Sequence, residues 1–152
     1  MFLIVHASVG AVLGEQMNQP VAAFGAGVIS HFLVDMIPHG DEVIGRRLFQ
    51  KGRKHLIVAL AVLDVAAASL LIITLLLVGL LTNATAAVIG AVGAVLPDVL
   101  QGFSGLADGR LWPRFVALHQ WSHRLLNCEV PTYVGFSIQA LALIVLLTII
   151  TT

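Results

Sequence analysis

LIVALAVLDVAAASLLIITLLLVGLL, residues 56–81, contains no basic residue and one acidic one, Asp64; Ser69 and Thr74 are its other polar interruptions. A hydrocarbon core of about 30 Å takes roughly 20 apolar residues in helical form, so this stretch places the chain in a bilayer. Outward from it, Thr132–Ile150 reads as a second span and Ala84–Leu100, rich in Ala and Gly and broken near its end by Pro97, as a third. Val21–Ile37, ended by Pro38, reads as a fourth. Phe2–Gly14 is apolar but short, a partial span, and the polar run from Glu15 to Pro20 turns the chain after it. The expected fold is all-α: a polytopic membrane helical bundle of four spanning helices plus a short N-terminal helix, in one domain over residues 1–152. Small residues (Gly25, Gly27 and Ser30 in one helix; Gly90, Gly93 and Ala94 in another) would let those helices approach closely.

Composition agrees. Of 152 residues, 59% are hydrophobic and 11% charged, where a soluble domain carries about a quarter charged. There is too little polar surface to cover a water-soluble globule. The net charge is +0, so no strong field draws in nucleic acid, and no specific nucleic-acid binding is expected. The single cysteine, Cys128, excludes a disulfide within the chain. The opening Met1–His6 has no basic n-region and is not read as a removed signal peptide.

Charge placement sets the expected topology. Arg46, Arg47, Lys51, Arg53 and Lys54 fall between the second and third apolar segments; Arg110, Arg114 and Arg124 fall between the fourth and fifth. Two loops separated by a helical hairpin share a side, and the positive-inside rule makes that side cytoplasmic. The expected location is the cell membrane, with these loops facing the cytoplasm.

On this topology the ionisable residues gather at one face. His6 opens the first helix. His31, Asp35 and His39 end the second, Asp98 ends the fourth, and His119 and His123 follow it. Asp64 lies about two turns into the third helix from the same side. His31 and Asp35 stand at i and i+4 and share a helix face, as do His119 and His123 if Phe115–Leu126 is helical. Imidazole with carboxylate suits zinc or manganese better than calcium. An uncompensated Asp at mid-membrane costs about 2.5–3.5 kcal/mol on insertion scales, which a shared divalent cation would offset. The candidate metal ligands are therefore His6, His31, Asp35, His39, Asp64, Asp98, His119 and His123, with room for more than one ion.

Each has a plainer reading. His31 and Asp35 can form a hydrogen-bonded helix pair, and Asp98 can end a helix after Pro97. Asp64 can satisfy a buried hydroxyl, and the late histidines can line an interfacial helix with Trp112 and Trp121. His55, after two basic residues, reads as a solvated interface residue, and Asp41, Glu42, Asp108 and Glu129 read as facing water, Asp41 lying near enough to His39 to serve as a spare base. The basic loop reads first as a topology signal and second as a binder of anionic lipid.

The segment Ser30-His31-Phe32-Leu33-Val34-Asp35-Met36-Ile37-Pro38-His39 resembles the histidine–aspartate–proline–histidine helix of zinc-dependent phospholipase C and the S1/P1 nucleases. His6-Ala7-Ser8-Val9-Gly10 is similar to the histidine that begins the first helix of such hydrolases. Leu96-Pro97-Asp98, with His119 and Ser122-His123-Arg124, resembles elements of the bacterial membrane-bound metal-dependent hydrolases related to the inner-membrane protein YdjM. The resemblance implies a membrane-embedded metal-dependent hydrolase acting on a phosphoester, either a small one or a membrane lipid headgroup. In the expected mechanism one to three zinc-like ions lower the pKa of bound water. Asp35, Asp64 or Asp98 would bridge ions or act as general base, and Arg124 would clamp phosphate oxygens. No G-x-S-x-G element supports serine-nucleophile chemistry. Two rivals stand beside this reading: a transporter, which would place ionisable groups near the midplane where only Asp64 lies, and a metal-stabilised membrane protein without catalysis.

Overall fold

The structure, a computed structural model, describes residues 1–107, 110–126 and 130–151. Asp108, Cys128 and Glu129 lie outside the described residues. Regular structure among those described is helical throughout: α1 (Leu3–Glu15), α2 (Pro20–Asp35), α3 (Glu42–Gln50), α4 (Lys54–Leu77), α5 (Ala84–Leu106), α6 (Pro113–Arg124) and α7 (Thr132–Thr151).

Three helices, α4, α5 and α7, are long and apolar enough to cross a membrane, not four. The expected fourth span, α2, has 16 residues. At 1.5 Å per residue it reaches about 24 Å, short of a core of about 30 Å. Its limits are local. Pro20 occupies the first helical position, where its missing N–H costs nothing. At the other end Pro38 disfavours helical geometry in the residue before it, and the helix gives way at Met36. The basic connection also departs from a simple loop, because it contains α3. That helix ends with Gly52 in the left-handed region (φ 65°). Arg53 N–H donates to Leu48 O at 2.9 Å and Gly52 N–H to Phe49 O at 3.0 Å, the paired bonds of a Schellman cap.

The centre of the bundle is α5, with α1 and α2 laid against it. The contact is backbone on backbone. A Cβ added at Gly10 or Gly27 would strike the Gly90 carbonyl oxygen, and one at Gly93 would strike that of Phe24. Gly25, grouped with these by sequence, has nothing within 4 Å of its added Cβ and takes no part in the seam. A small apolar core of Ala7, Ala11, Ala87 and Ala91 meets Ala68, Ile72 and Leu75 of α4. Much of α4 and α7 presents large aliphatic side chains outward, Leu70 and Leu77 on α4 and Leu141 and Ile144 on α7 among them. Such a surface suits lipid rather than water.

Each end of the bundle is fastened differently. At one, Glu15 at the close of α1 accepts from the backbone N–H groups of Thr82 (2.9 Å) and Asn83 (3.0 Å), capping the start of α5, while Asn83 Nδ2 donates to Met17 O at 2.7 Å. The other end holds the ionisable cluster.

Candidate metal centre

Asp35, at the last turn of α2, is the hub. Its carboxylate is buried and has imidazoles on both oxygens. Oδ2 lies 3.0 Å from His31 Nε2, 3.3 Å from His119 Nε2 and 3.1 Å from His123 Nε2. Oδ1 lies 3.0 Å from His6 Nε2 and 2.8 Å from the Met1 amine. The i, i+4 spacing puts His31 on the same face as Asp35. The glycine seam brings His6 of α1 and Asp98 of α5 alongside, and α6 supplies His119 and His123, again one turn apart. His119 Nε2 is 2.9 Å from His31 Nε2 and 3.4 Å from Asp98 Oδ1, and His31 Nε2 is 3.9 Å from Asp98 Oδ1.

Among the described residues, two groups of donor atoms lie close enough to hold an ion: His31, Asp35, Asp98 and His119, and separately Asp35, His39 and His123. Donors at 2.0–2.2 Å from one tetrahedral cation stand about 3.3–3.6 Å apart, and the separations in the first group straddle that value. Hydrogen-bond polarity points the same way. His31 Nδ1 is 2.8 Å from Ala94 O, and His39 Nδ1 is 2.7 Å from Ile37 O. A carbonyl oxygen only accepts, so each Nδ1 donates and each neutral ring turns its Nε2 lone pair into the cluster. His31 Nε2 then faces Asp35 Oδ2 at 3.0 Å, acceptor against acceptor, so a proton or a cation belongs between them. Backbone carbonyls holding the far nitrogen are the usual means of orienting a metal-binding imidazole. His6 and His119 depart from that pattern, since their Nδ1 atoms are buried with no hydrogen-bond partner. The Ala94 carbonyl lies in the turn before Pro97, whose ring crowds that turn and whose missing N–H leaves the Gly93 carbonyl without its helical donor.

The Met1 ammonium shows what the cluster attracts. It sits 2.8 Å from both Asp35 Oδ1 and His39 Nε2 and 3.7 Å from Asp41 Oδ2. Burial alone would lower its pKa, but Asp35, Asp41 and Asp98 together raise it above the ordinary value. Asp41 shows the converse. Burial pushes its carboxyl up, yet the His39 imidazole beside it and the ammonium hold it below its usual range. The donor set therefore fits a cation, and an ammonium stands in for one on the Oδ1 side.

Beside the cluster lies a cavity of about 930 Å³, lined by His39, Asp41, Asp98, His119 and His123 and also by Arg46, Phe49 and Arg124. Asp98 is the ligand candidate that reaches toward it, its side chain 23% exposed where that of Asp35 is 0%. The Arg124 guanidinium bonds Gln120 of its own helix, through Nε to the carbonyl at 3.1 Å and through a terminal nitrogen to Oε1 at 3.2 Å. It borders the cavity without reaching the ligands.

Asp64 stands apart from both donor groups. Its carboxylate accepts from the backbone N–H groups of Leu3 (2.7 Å) and Ile4 (3.2 Å), the first residues of α1. It caps that helix from α4, where a negative charge complements the helix dipole. The cost of placing an Asp in an apolar helix is thus offset by two otherwise unbonded N–H groups rather than by an ion. Asp64→Ala should destabilise the protein by about 0.5–2 kcal/mol and leave bound metal unchanged, read by thermal unfolding and elemental analysis of one preparation. Loss of the metal with the stability intact would return Asp64 to the ligand set.

Three other residues can be placed. Asp41, expected to face water but near enough to His39 to be a spare base, lies 3.0 Å from His39 Nε2 through Oδ1. His55 is exposed, as its basic neighbours suggested. Gln139 went unremarked in the sequence, yet it is buried on α7, accepts from Phe2 N–H at 2.8 Å and donates to His39 O at 3.0 Å. It ties the first residues, the His39 turn and α7 together. Its isolation in an apolar run was the available signal, since polar side chains within membrane helices are expensive.

Compared with protein-family models, curated proteins and solved structures, the chain shows no match.

Proposed function

We propose that this protein is a membrane-embedded, metal-dependent hydrolase of phosphoesters, the activity that its resemblance to YdjM-related hydrolases and zinc-dependent phospholipase C implies. The observation that carries the reading is Asp35: one buried carboxylate shared by two donor groups, both of which border a cavity that Arg46 and Arg124 also line. Zinc is the metal that the imidazole and carboxylate donors favour, with manganese second. His31, Asp98 and His119 would hold an ion together with Asp35, and His39 and His123 would hold one together with the same carboxylate. Such an ion supplies Lewis acidity and water activation at neutral pH.

The chain's own residues have separable tasks. Asp35 and the imidazoles around it fix the donor geometry, and the carbonyls of Ala94 and Ile37 hold two of those rings in the ligating tautomer. Asp98, partly open to the cavity, is placed to accept a proton there. Arg46 and Arg124 give the cavity positive charge, which suits a phosphate. The substrate class is a small phosphoester or a lipid headgroup, and the positive-inside pattern favours a site on the cytoplasmic side. A transporter is a weaker reading, because the one deep carboxylate, Asp64, is engaged as a helix cap.

The test joins metal content to turnover. Protein purified in detergent without chelators should contain a transition metal and hydrolyse p-nitrophenyl phosphate or its diester. Chelation should remove both properties, and zinc or manganese should restore them. Asp98→Asn should lower turnover far more than it lowers metal content. Metal without turnover on any phosphoester would leave a metal-stabilised membrane protein, and metal-free native protein would end the hydrolase reading.

A further inference from the structure

We infer that α3 is an interfacial helix that binds anionic phospholipid headgroups, and that it does so beside the mouth of the cavity. The inference stands whether or not the site hydrolyses anything.

Three observations meet on this element. The first is charge. Residues 41–54, DEVIGRRLFQKGRK, hold five basic residues against two acidic ones, and Arg46, Arg47, Lys51, Arg53 and Lys54 are all exposed. The second is amphipathic form. Ile44 and Leu48 stand at i and i+4, and both are less exposed than the arginines between them. Phe49, 59% exposed, is covered on one side by Lys54, whose Nζ lies 5.7 Å from its ring centroid. The third is placement. The helix packs chiefly on α4, its Schellman cap at Gly52 turns the chain directly into that spanning helix at Lys54, and α4 then runs apolar for 24 residues. A basic amphipathic helix joined by a three-residue turn to the end of a span lies at headgroup depth by construction.

The occupant is chosen by charge. A zwitterionic headgroup offers no net attraction to five cations. An anionic one does, each Lys or Arg near the surface favouring association roughly fivefold. Because Val43, Arg46 and Phe49 also line the cavity, lipid held on α3 would sit at the rim of the site. Read as a loop, the same charges were first a topology signal and only second a binder of anionic lipid. Folded as a helix, they become a surface.

The test places a reporter on the helix. Gln50→Cys in a Cys128→Ser background is labelled with bimane and reconstituted in nanodiscs of phosphatidylcholine and phosphatidylglycerol in equal parts. A quenching spin label is carried near the headgroup of one lipid or the other. Labelled phosphatidylglycerol should quench several-fold more than labelled phosphatidylcholine, and high salt should erase the difference. Arg46→Gln with Arg47→Gln should reduce it sharply, while a reporter at Tyr133→Cys on α7 should show little headgroup preference. Equal quenching by the two lipids, a preference unchanged by loss of both arginines, or the same preference at Tyr133 would overturn the assignment to α3. Gel filtration of every variant separates these outcomes from misfolding.

Discussion

Asp35→Ala should weaken metal binding by more than any other single substitution, beyond the roughly 10–100-fold that follows loss of a mere supporting partner. The reason is topological. Both donor groups pass through this one carboxylate, and its two oxygens face five nitrogen atoms. Without it the first group keeps His31, Asp98 and His119, and the second keeps two histidines. The fold should survive at a cost in stability, because the Met1 ammonium loses its buried partner but α2 is anchored by its glycine seam rather than by its last turn. Elemental analysis should show metal lost, with helical circular dichroism and gel-filtration profile kept. His55→Ala, at an exposed residue outside the cluster, should change neither. Retention of a full metal complement by Asp35→Ala would remove the shared-carboxylate centre altogether.

The second large effect is on stability. Gly10→Ala should destabilise the protein by about 1–3 kcal/mol, the usual cost of overpacking, and a larger residue at Gly10 or Gly90 should prevent the native bundle from forming. An added Cβ at Gly10 meets the Gly90 carbonyl and lies 2.7 Å from Ala94 Cβ, so the obstruction includes main chain that no rotamer change can move. Gly25→Ala is the control on the neighbouring helix. With nothing near its Cβ, it should be neutral or stabilising by up to about 1 kcal/mol through the unfolded state. Thermal unfolding in one detergent reads all three. Equal behaviour of Gly10→Ala and Gly25→Ala would mean that α1 and α5 do not touch at this seam.

The spans that were legible were those whose signal is hydropathy. Leu56–Leu81 and Thr132–Ile150 need no neighbour to declare themselves, because lipid reads composition alone. Val21–Ile37 has the right composition, but as the 16-residue helix Pro20–Asp35 it falls short of the roughly 20 residues that a span needs, so its reach rather than its bounds was overstated. The site was legible as far as spacing could carry it: His31 with Asp35, and His119 with His123, share faces because 3.6 residues make a turn. Asp64 shows where that stops. Its depth in α4 fits a ligand and a cap equally well, and only the approach of Leu3 and Ile4 N–H from another helix decides. Gln139 and Asp41 depend on contacts across 100 and 2 residues of chain respectively. The Asp41 contact also needed the turn at Gly40 (φ 70°), a backbone conformation that composition does not encode. In α3 the run of positive charge masked an i, i+4 apolar pair that was present all along.

The seam of Gly10, Gly27 and Gly90 bears on which ions the centre would accept. Helices that meet through main chain have no side chains between them to repack, so the spacing of α1, α2 and α5 is stiff. His6, His31 and Asp98 are therefore presented from a frame that cannot widen cheaply. An ion entering this frame adjusts imidazoles and carboxylates, not helix positions, and finds its donors ordered in advance. Stiffness of that kind discriminates by radius. Calcium, which needs oxygen donors at 2.3–2.6 Å and six to eight of them, would have to spread the helices. Zinc, satisfied by four donors at 2.0–2.2 Å, would not. In the proposed centre the glycines would thus act at a distance as a size filter, although none of them is among the candidate ligands.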